Sequence, residues 1–557
     1  MPRRDPIPWH EYQERLQPHE RPTFPGSPAT PDHPTRLRIA YACVAVLVSV
    51  TSSLGSAFVT ANLQNLQGAL GLAPVEAAWI PVVFVMTNAC LGLILVKFRQ
   101  QYGLRLFTEI FLIAFAAVAF ANVFVHDFGA MLGARAAAGM AASGLSTLSF
   151  LYFIQAFPPA HRLKGIVLGI GMSTIAAPVA RLIGPTLLEL GGWRAFHIME
   201  LGLSLICLAA VFSLRLPPSE RMKAFDPLDF LTFALFAPGV ALLAAVLGLG
   251  RIVWWTEAPW IGWALVGACV LLGAALAIEV NRKNPLISLA FLASADVARL
   301  GLAILLVRVV LSEQTAGAVG FLMQMGLGVE QLHGLFTVIL LATIAGVLVS
   351  AFTIAPERAI RPIAGALALI ALGAFLDSHA TAQTRPVNLY FSQALTAFAA
   401  AAFLGPAMVA GIGSVLRKGP QVLVSFIVVF SVAQNLGGLA GSALVGSLET
   451  VREKYHSNQL AESISLSDPA TVQRLQQLAG AYARTIPDPA RRQAEATRLL
   501  TQQVTQQAHV LAYNDVFRII AAIAALGSVW VFAYYFRTRR AARKAAAVAI
   551  PAEAAGD

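Results

Sequence analysis

Among the ionisable side chains set inside long apolar runs of this sequence, Arg135, Arg181, His197, Glu200, Arg308 and Glu313 are the ones whose types and spacing could do chemistry. Charges in hydrocarbon are costly, and they mark ion pathways, proton relays or paired groups. His197 and Glu200 stand three residues apart, one helical turn on the same face. With Arg135 and Arg181 at a similar depth in neighbouring runs, they make a set that can take up and release a proton as its surroundings alternate between wet and dry. Mutual pairing also lowers the cost of burial, so the same four residues could equally form a static bridge that locks one bundle. Arg308 and Glu313 are five residues apart, do not stack on one helix, and are expected to find partners on other helices. Glu109, Glu279 and Asp515 lie near the ends of their runs, where capping, solvation or pairing with a basic turn is expected.

The elements that must position these groups are fourteen apolar stretches, each long enough to cross a bilayer. A helix rising about 1.5 Å per residue needs roughly 20 apolar residues to cross about 30 Å of hydrocarbon. The spans are read as 39–60, 77–96, 106–124, 129–156, 165–188, 195–214, 228–249, 259–280, 296–316, 332–354, 362–377, 388–411, 421–447 and 511–536. With 57% hydrophobic residues, 12% charged residues and a mean hydropathy of +0.68, a soluble fold would expose too much apolar surface. The net charge of +11 does not point to nucleic acid, because Lys and Arg sit in short turns and not along one basic face. Turns carrying Lys97, Arg99 and Arg105, then Arg162 and Lys164, then Arg215, Arg221 and Lys223, alternate with loops that offer only Arg194, Arg251 and Arg385. Arg282, Lys283, Arg358, Arg361, Arg417 and Lys418 continue the basic side, so both termini are expected in the cytoplasm. Trp79, Trp193, Trp254, Trp255, Trp260 and Trp263 fall at outer span ends, the headgroup depth preferred by indoles. The four cysteines lie within spans without metal-ligand spacing and read as packing residues, so no metal or cofactor is expected.

Residues 1–38, rich in Pro, His and charge, are expected to be a disordered cytoplasmic tail, and residues 537–557 a second tail. The polar segment 448–510 is the one long outer loop. Asp468-Pro469 and Asp488-Pro489 each read as a helix N-cap followed by Pro in the first turn, which predicts two helices outside the membrane. The second is expected to run straight into the last span.

Motifs then narrow the class. In span 13, Gln434-Asn435-Leu436-Gly437-Gly438-Leu439-Ala440-Gly441-Ser442-Ala443 is similar to the R-Q-x-G-G-x-x-G-x-A pattern of the major facilitator superfamily, with Gln434 in place of Arg. Leu511-Ala512-Tyr513-Asn514-Asp515-Val516-Phe517 resembles the start of span 14 in its fourteen-helix drug:proton antiporter branch, with Asn514 and Asp515 as family markers. Gln100 to Arg105 resembles the turn after span 2, including Gly103 and Arg105, although Gln100 stands where an acid is usual. Arg135 to Gly139 resembles the R-x-x-x-G core of span 4, while Pro178, Gly184 and Pro185 replace the repeated Gly-Pro pattern of span 5. Trp193-Arg194 matches the W-R at the start of span 6. Counting back from Trp79 without gaps puts Gly55 where many relatives have a membrane-embedded Asp. No other acid replaces it in span 1, so the relatives' proton carrier does not transfer to this chain.

The resemblance implies an all-α integral membrane protein of the major facilitator fold with 14 transmembrane helices. A six-helix bundle at 39–215 and another at 290–536 would rock about a central site, with two inserted helices at 226–283 between them. It further implies export of lipophilic, amphipathic small molecules across a bacterial inner membrane in exchange for protons, among membrane lipids. In Gram-negative relatives with this long outer loop a periplasmic adaptor protein and an outer-membrane channel often complete the route, and the resemblance implies such partners here. The alternatives are a specific metabolite or siderophore exporter, and a membrane sensor that no longer transports. An enzyme is not expected, since the sequence has no phosphate-binding Gly-Lys-Ser/Thr loop, zinc-binding His-Glu-x-x-His helix or Gly-x-Ser-x-Gly elbow.

Overall fold

The computed structural model describes residues 9–22, 26–282, 285–355, 360–419, 422–465 and 467–553, with the backbone alone beyond residue 540. Residues 1–8 and 23–25 of the first expected tail, Lys283, Arg358, the first residue of span 13 at 421, residue 466 of the expected outer loop, and residues 554–557 lie outside the described residues.

Local sequence sets the helix ends. After α1 (Trp9–Glu14), α2 (Thr35–Ala61) starts behind Pro34, and α3 (Leu63–Leu70) stops on Gly71 in the left-handed conformation, φ +61°. In α4 (Pro74–Tyr102), Pro74 opens the helix and Glu76 accepts from the Ala73 N–H at 2.8 Å. Gly103, at φ +85°, separates it from α5 (Leu104–Asn122). Asp127 caps α6 (Phe128–Ala156) by accepting from the Ala130 N–H at 2.9 Å. Next come α7 (Arg162–Gly171) and the long α8 (Ala176–Ser213), which breaks at Gly191 and at Gly192, φ +59°.

The polar-capped α9 (Pro227–Val253) and α10 (Pro259–Val280) follow, then the short α11 (Leu289–Leu292). Helix α12 (Ala295–Val310) leads through a π-helical turn, Glu313–Ala318, into α13 (Val319–Gln324). The remaining helices are α14 (His333–Thr353), α15 (Ile360–Asp377), α16 (Tyr390–Lys418), α17 (Leu423–Ser463), α18 (Pro469–Ala481) and α19 (Pro489–Glu553).

Among the described residues, twelve helical segments are long and apolar enough to cross a membrane. One of them, Pro159–Ser213, is 55 residues long and folds back at Gly191–Gly192. The α12–π–α13 stretch is too interrupted to be counted among the twelve. These two places are where the other passes of a fourteen-span reading fall.

Packing divides the molecule. Apolar side chains of α2, α5, α6 and the second part of α8 form one core, centred on Val48, Phe107, Leu145 and Tyr152. A second core joins α12, α15, α16, α17 and α19 around Val307, Leu367, Phe403 and Val516. Between them α9 is wedged against α4 and α17, with Phe236 and Val240 meeting Ala89, Leu93, Val424 and Val428. A buried polar cluster holds its end: Lys97 Nζ donates to Asp229 at 2.6 Å, Arg282 to Asp229 at 2.8 Å, and Arg282 to Glu279 at 2.7 Å. Glu279 also accepts from the Leu286 and Ile287 N–H groups, so it caps backbone as expected but is buried, not solvated.

Two segments outside the apolar runs behave differently from each other. The first expected tail is not disordered over its described residues: Pro28 bridges Ser219, and Ala29 is fully buried. Gln155 Nε2 donates to the Ala29 carbonyl at 2.8 Å, while Arg162 donates to the carbonyls of His19 at 2.8 Å and Thr30 at 3.0 Å. The polar composition that argues against an autonomous core is offset by donors at the ends of α6 and α7, which satisfy the carbonyls of His19, Ala29 and Thr30. In the second segment, Asp468 accepts from Ala470 and Thr471 N–H groups at the start of α18, and Asp488 from Ala490 at 2.9 Å. Helix α19 then runs without a break from Pro489 into the last apolar stretch and on to Glu553, so the second expected tail begins as a continuing helix.

Candidate functional site

Glu200 is buried on α8, one turn from His197, whose Nδ1 lies 3.6 Å from Glu200 Oε2. Arg135, reaching in from α6 and also buried, lies within electrostatic range of the same carboxylate without forming an ion pair to it, and its Nε and Nη2 have no hydrogen-bond partner among the described residues. Asn122, the last residue of α5, closes the side of the site. Aromatic rings seal the neighbouring space, with Phe58 stacked on Phe196 at 3.8 Å and Trp193 edge-on to both. In such a water-poor setting a carboxylate is strongly biased by whichever cation faces it.

The fourth wall is α2. Thr51, Leu54 and Gly55 line a crevice with Phe196, Met199, Glu200 and Leu203. A Cβ built at Gly55 would overlap Glu200 Oε1. Thus the Glu200 carboxylate occupies the volume that a side chain at position 55 would fill. Position 55 of span 1, where the resemblance leads one to expect an acid, and the carboxylate of Glu200 share one place in space.

Of the four expected partners, Arg135, His197 and Glu200 come together and Arg181 does not. Its guanidinium lies over the Phe336 ring of α14 at 5.1 Å, a cation–π contact between the two bundles. In the other half, Arg308 and Glu313 do not meet each other. Arg308 Nε donates to the Gln434 carbonyl of α17 at 3.1 Å, whereas Glu313 accepts from Gln393 Nε2 of α16 at 3.0 Å. That amide also reaches Asp377 of α15 at 2.6 Å. Neither Asp377 nor Gln393 stands out in the sequence, one being the last residue of a span and the other uncharged.

The glycine motifs are close-approach sites. Cβ atoms at Gly437 and Gly438 would lie 2.8 and 3.0 Å from Arg308 atoms, and one at Gly441 would lie 2.7 Å from the Val309 carbonyl oxygen. The stripe therefore seats α12 and its arginine. Gly139 faces the Phe84 carbonyl and Thr87 on α4, and Thr87 Oγ1 donates to the Ala136 carbonyl at 2.9 Å. Gly184, one residue before Pro185 inside α8, faces the Asn62 side chain at 2.9 Å. Gly103 supplies the positive φ of its turn, while Arg105 pairs locally with Glu109 at 2.8 Å. Asn514 donates to the Ala380 carbonyl at 2.9 Å, and Asp515 accepts from Arg452 and His456, each at 2.7 Å. This pair fastens α19 to the turn that follows α15 and to the extension of α17.

The helical bundle, with its bent and broken passes and glycine seams, is that of a multi-pass membrane protein, and residues 45–442 match the family model of the Major Facilitator Superfamily. The chain belongs to that superfamily. It is 24% identical over 510 residues to the multidrug export protein EmrB of Escherichia coli K12, covering 87% of this chain and 93% of that protein. It is also 28% identical over 230 residues to the multidrug transporter mfsC of Aspergillus fumigatus, an alignment covering 41% of this chain and only 43% of that protein. Among solved structures, the human organic anion transporter MFSD10 aligns with a TM-score of 0.53 at 14% identity over 88% of this chain and 100% of that one. The proton:xylose symporter XylE aligns with a TM-score of 0.53 at 13% identity over 90% of this chain and 96% of that one. These two likenesses speak for the fold alone.

Proposed function

We propose that this chain is a secondary active exporter of lipophilic, amphipathic compounds driven by proton antiport, and that Glu200 carries the proton. The observation that carries the reading is the placement of the Glu200 carboxylate over Gly55, facing Arg135 and His197. An acid in this position can neutralise Arg135 when ionised and release it when protonated, so protonation alters how α2, α6 and α8 hold together. Arg181 over Phe336 and the glycine seat of Arg308 lie at joints between moving helices and suit a gating role. Gly103, Arg105, Gly139, Gly184 and Pro185 serve the same conformational change. The seams rich in Gly and the apolar lining suit substrates held without fixed polar partners.

The membrane is a bacterial inner membrane, with both termini cytoplasmic and the 448–510 hairpin periplasmic. The extension of α17, α18 and the start of α19 would offer the surface on which a periplasmic adaptor protein and, through it, an outer-membrane channel could dock. Accumulation of several lipophilic cations and weak acids in efflux-deficient Gram-negative cells tests the reading. The chain is expected to lower accumulation of unrelated compounds, with the effect abolished by an uncoupler and by Glu200→Gln at unchanged membrane levels. Unimpaired uncoupler-sensitive export in both Glu200→Gln and Arg135→Ala would remove Glu200 from the mechanism. Narrow specificity for one metabolite would replace the substrate class.

A further inference from the structure

The second half contains a buried acid pair with no cation. Glu313 and Gln393 are 0% exposed and Asp377 is 1% exposed, burial too complete for water to screen their charges. Gln393 Nε2 donates one hydrogen to Glu313 Oε1 at 3.0 Å and the other to Asp377 Oδ2 at 2.6 Å, so a single amide nitrogen holds both carboxyls side by side. Glu313 Oε2 and Gln393 Oε1 are themselves buried without a hydrogen-bond partner among the described residues.

Charged and titratable groups on the surrounding helices are engaged elsewhere, and His379, just past α15, has its Nδ1 3.1 Å from the Phe375 carbonyl oxygen. Arg308 of α12 is bound to Gln434 of α17, and Arg181 of α8 lies over Phe336 of α14. On α19, Asp515 is held by Arg452 and His456, and His509 by Glu449. Tyr513 of α19 faces Gly320 of α13, and Tyr390 of α16 faces Gly334 of α14. From α16, Ser392 lies beside Asp377 but its hydroxyl donates to the Leu389 carbonyl at 3.0 Å. Among the described residues, no Lys, Arg or His forms an ion pair with either carboxyl. An amide adds no charge, so two ionised carboxylates here would face each other in a low dielectric with nothing to balance them. Backbone makes that worse at Asp377, which is the last residue of α15, where unpaired carbonyls already concentrate negative potential.

We infer that Glu313, Asp377 and Gln393 form a second proton-binding site, in which the two carboxyls hold one proton between them. Buried carboxyl pairs that cannot both ionise behave in this way. The proton bridges oxygens that Gln393 brings together; on release an O–H bond breaks, the proton passes to water and the carboxylate keeps the electron pair. The local fold suits such release. Glu313 begins the π-helical turn that interrupts α12–α13, whereas Asp377 and Gln393 sit on α15 and α16, which are closely packed at Gly373, where a Cβ would lie 2.6 Å from Thr396 Oγ1. A shift of the broken helix would separate one acid from the other two partners, and π-helical turns recur at such functional places.

The inference deepens the antiport reading by giving each half its own proton site, yet its test does not depend on export. Infrared spectra of the purified full-length protein in lipid, recorded between acid and alkaline pH, read the carbonyl band of a protonated carboxyl. At neutral pH the difference between wild type and Asp377→Asn, and between wild type and Glu313→Gln, is expected to show such a band. Gln393→Ala, which keeps both acids, should shift the pH at which the band disappears. Absence of the band from both difference spectra, with Gln393→Ala titrating like wild type, would overturn the site. A band that is present in a protein showing no proton-driven export would sustain the site and reject the antiport reading instead.

Discussion

The smallest change that probes the Glu200 site is one methyl group at Gly55. An Ala Cβ there would overlap Glu200 Oε1, the far end of a side chain that can yield only by leaving its buried position beside the stacked Phe58 and Phe196. The carboxylate must therefore turn out of its place against Arg135. Overpacking of this kind costs about 1–3 kcal/mol. A double-mutant cycle isolates the contact. Gly55→Ala should lower the stability of the purified transporter by about that amount and reduce proton-driven export. In a Glu200→Ala background the same methyl group should be nearly neutral, since the oxygen it strikes is gone. The coupling free energy is thus expected to be on the order of 1–3 kcal/mol, the range seen for residues in contact. Denaturation in detergent supplies the four stabilities, and the export assay supplies the functional arm. Additive effects within about 0.5 kcal/mol would show that position 55 and Glu200 do not share a volume.

Three further outcomes follow from the packing. Gly441→Leu should destabilise the protein by about 1–3 kcal/mol, because it pushes α17 off the Val309 carbonyl and Ser312, whereas Ser442→Leu on the exposed face should melt like wild type. Asp515→Asn should loosen the base of the hairpin by about 1 kcal/mol, the pair with Arg452 being partly solvent-screened, and limited proteolysis within 448–510 should quicken. The Glu449 carboxylate, 2.7 Å from His509 Nδ1, raises the pKa of that imidazole against the opposing effect of burial. Its contribution is full below the unfolded value of about 6.5 and fades as pH rises through the higher folded value, so hydrogen exchange at the base of the hairpin should speed up over that window and lose this dependence in Glu449→Gln.

Much of this fold was legible because hydrocarbon imposes a simple rule: apolar runs of sufficient length become spans, and Asp-Pro pairs start helices, as they do at Asp226, Asp468 and Asp488. The Gly437–Gly441 stripe also announced a close helix approach, though only packing reveals that its occupant is the α12 segment from Arg308 to Ser312. The site was half legible. Periodicity along α8 pairs His197 with Glu200, and burial of a cation at Arg135 requires a counter-charge, but depth alone could not show that Arg181 turns the other way, toward Phe336. A depth estimate gives height in the bundle and says nothing of azimuth. The filling of the Gly55 position by an acid from another helix is invisible to any comparison made one span at a time. Gln393 escaped because an uncharged amide inside a span looks like any polar packing residue, and Asp377 because a carboxylate at a span end ordinarily meets water. The folded character of residues 9–22 and 26–34 was illegible for a related reason, as their partners Gln155 and Arg162 are more than a hundred residues away.

The central claim, export coupled to protons through Glu200, is tested most directly in proteoliposomes of the purified chain that enclose a pH-reporting dye. Addition of a lipophilic cation should move protons against the flow of the compound in wild type, and Glu200→Gln should abolish that movement while still binding the compound. Transport of the compound by wild type with no accompanying proton movement, or undiminished proton movement in Glu200→Gln, would contradict the account.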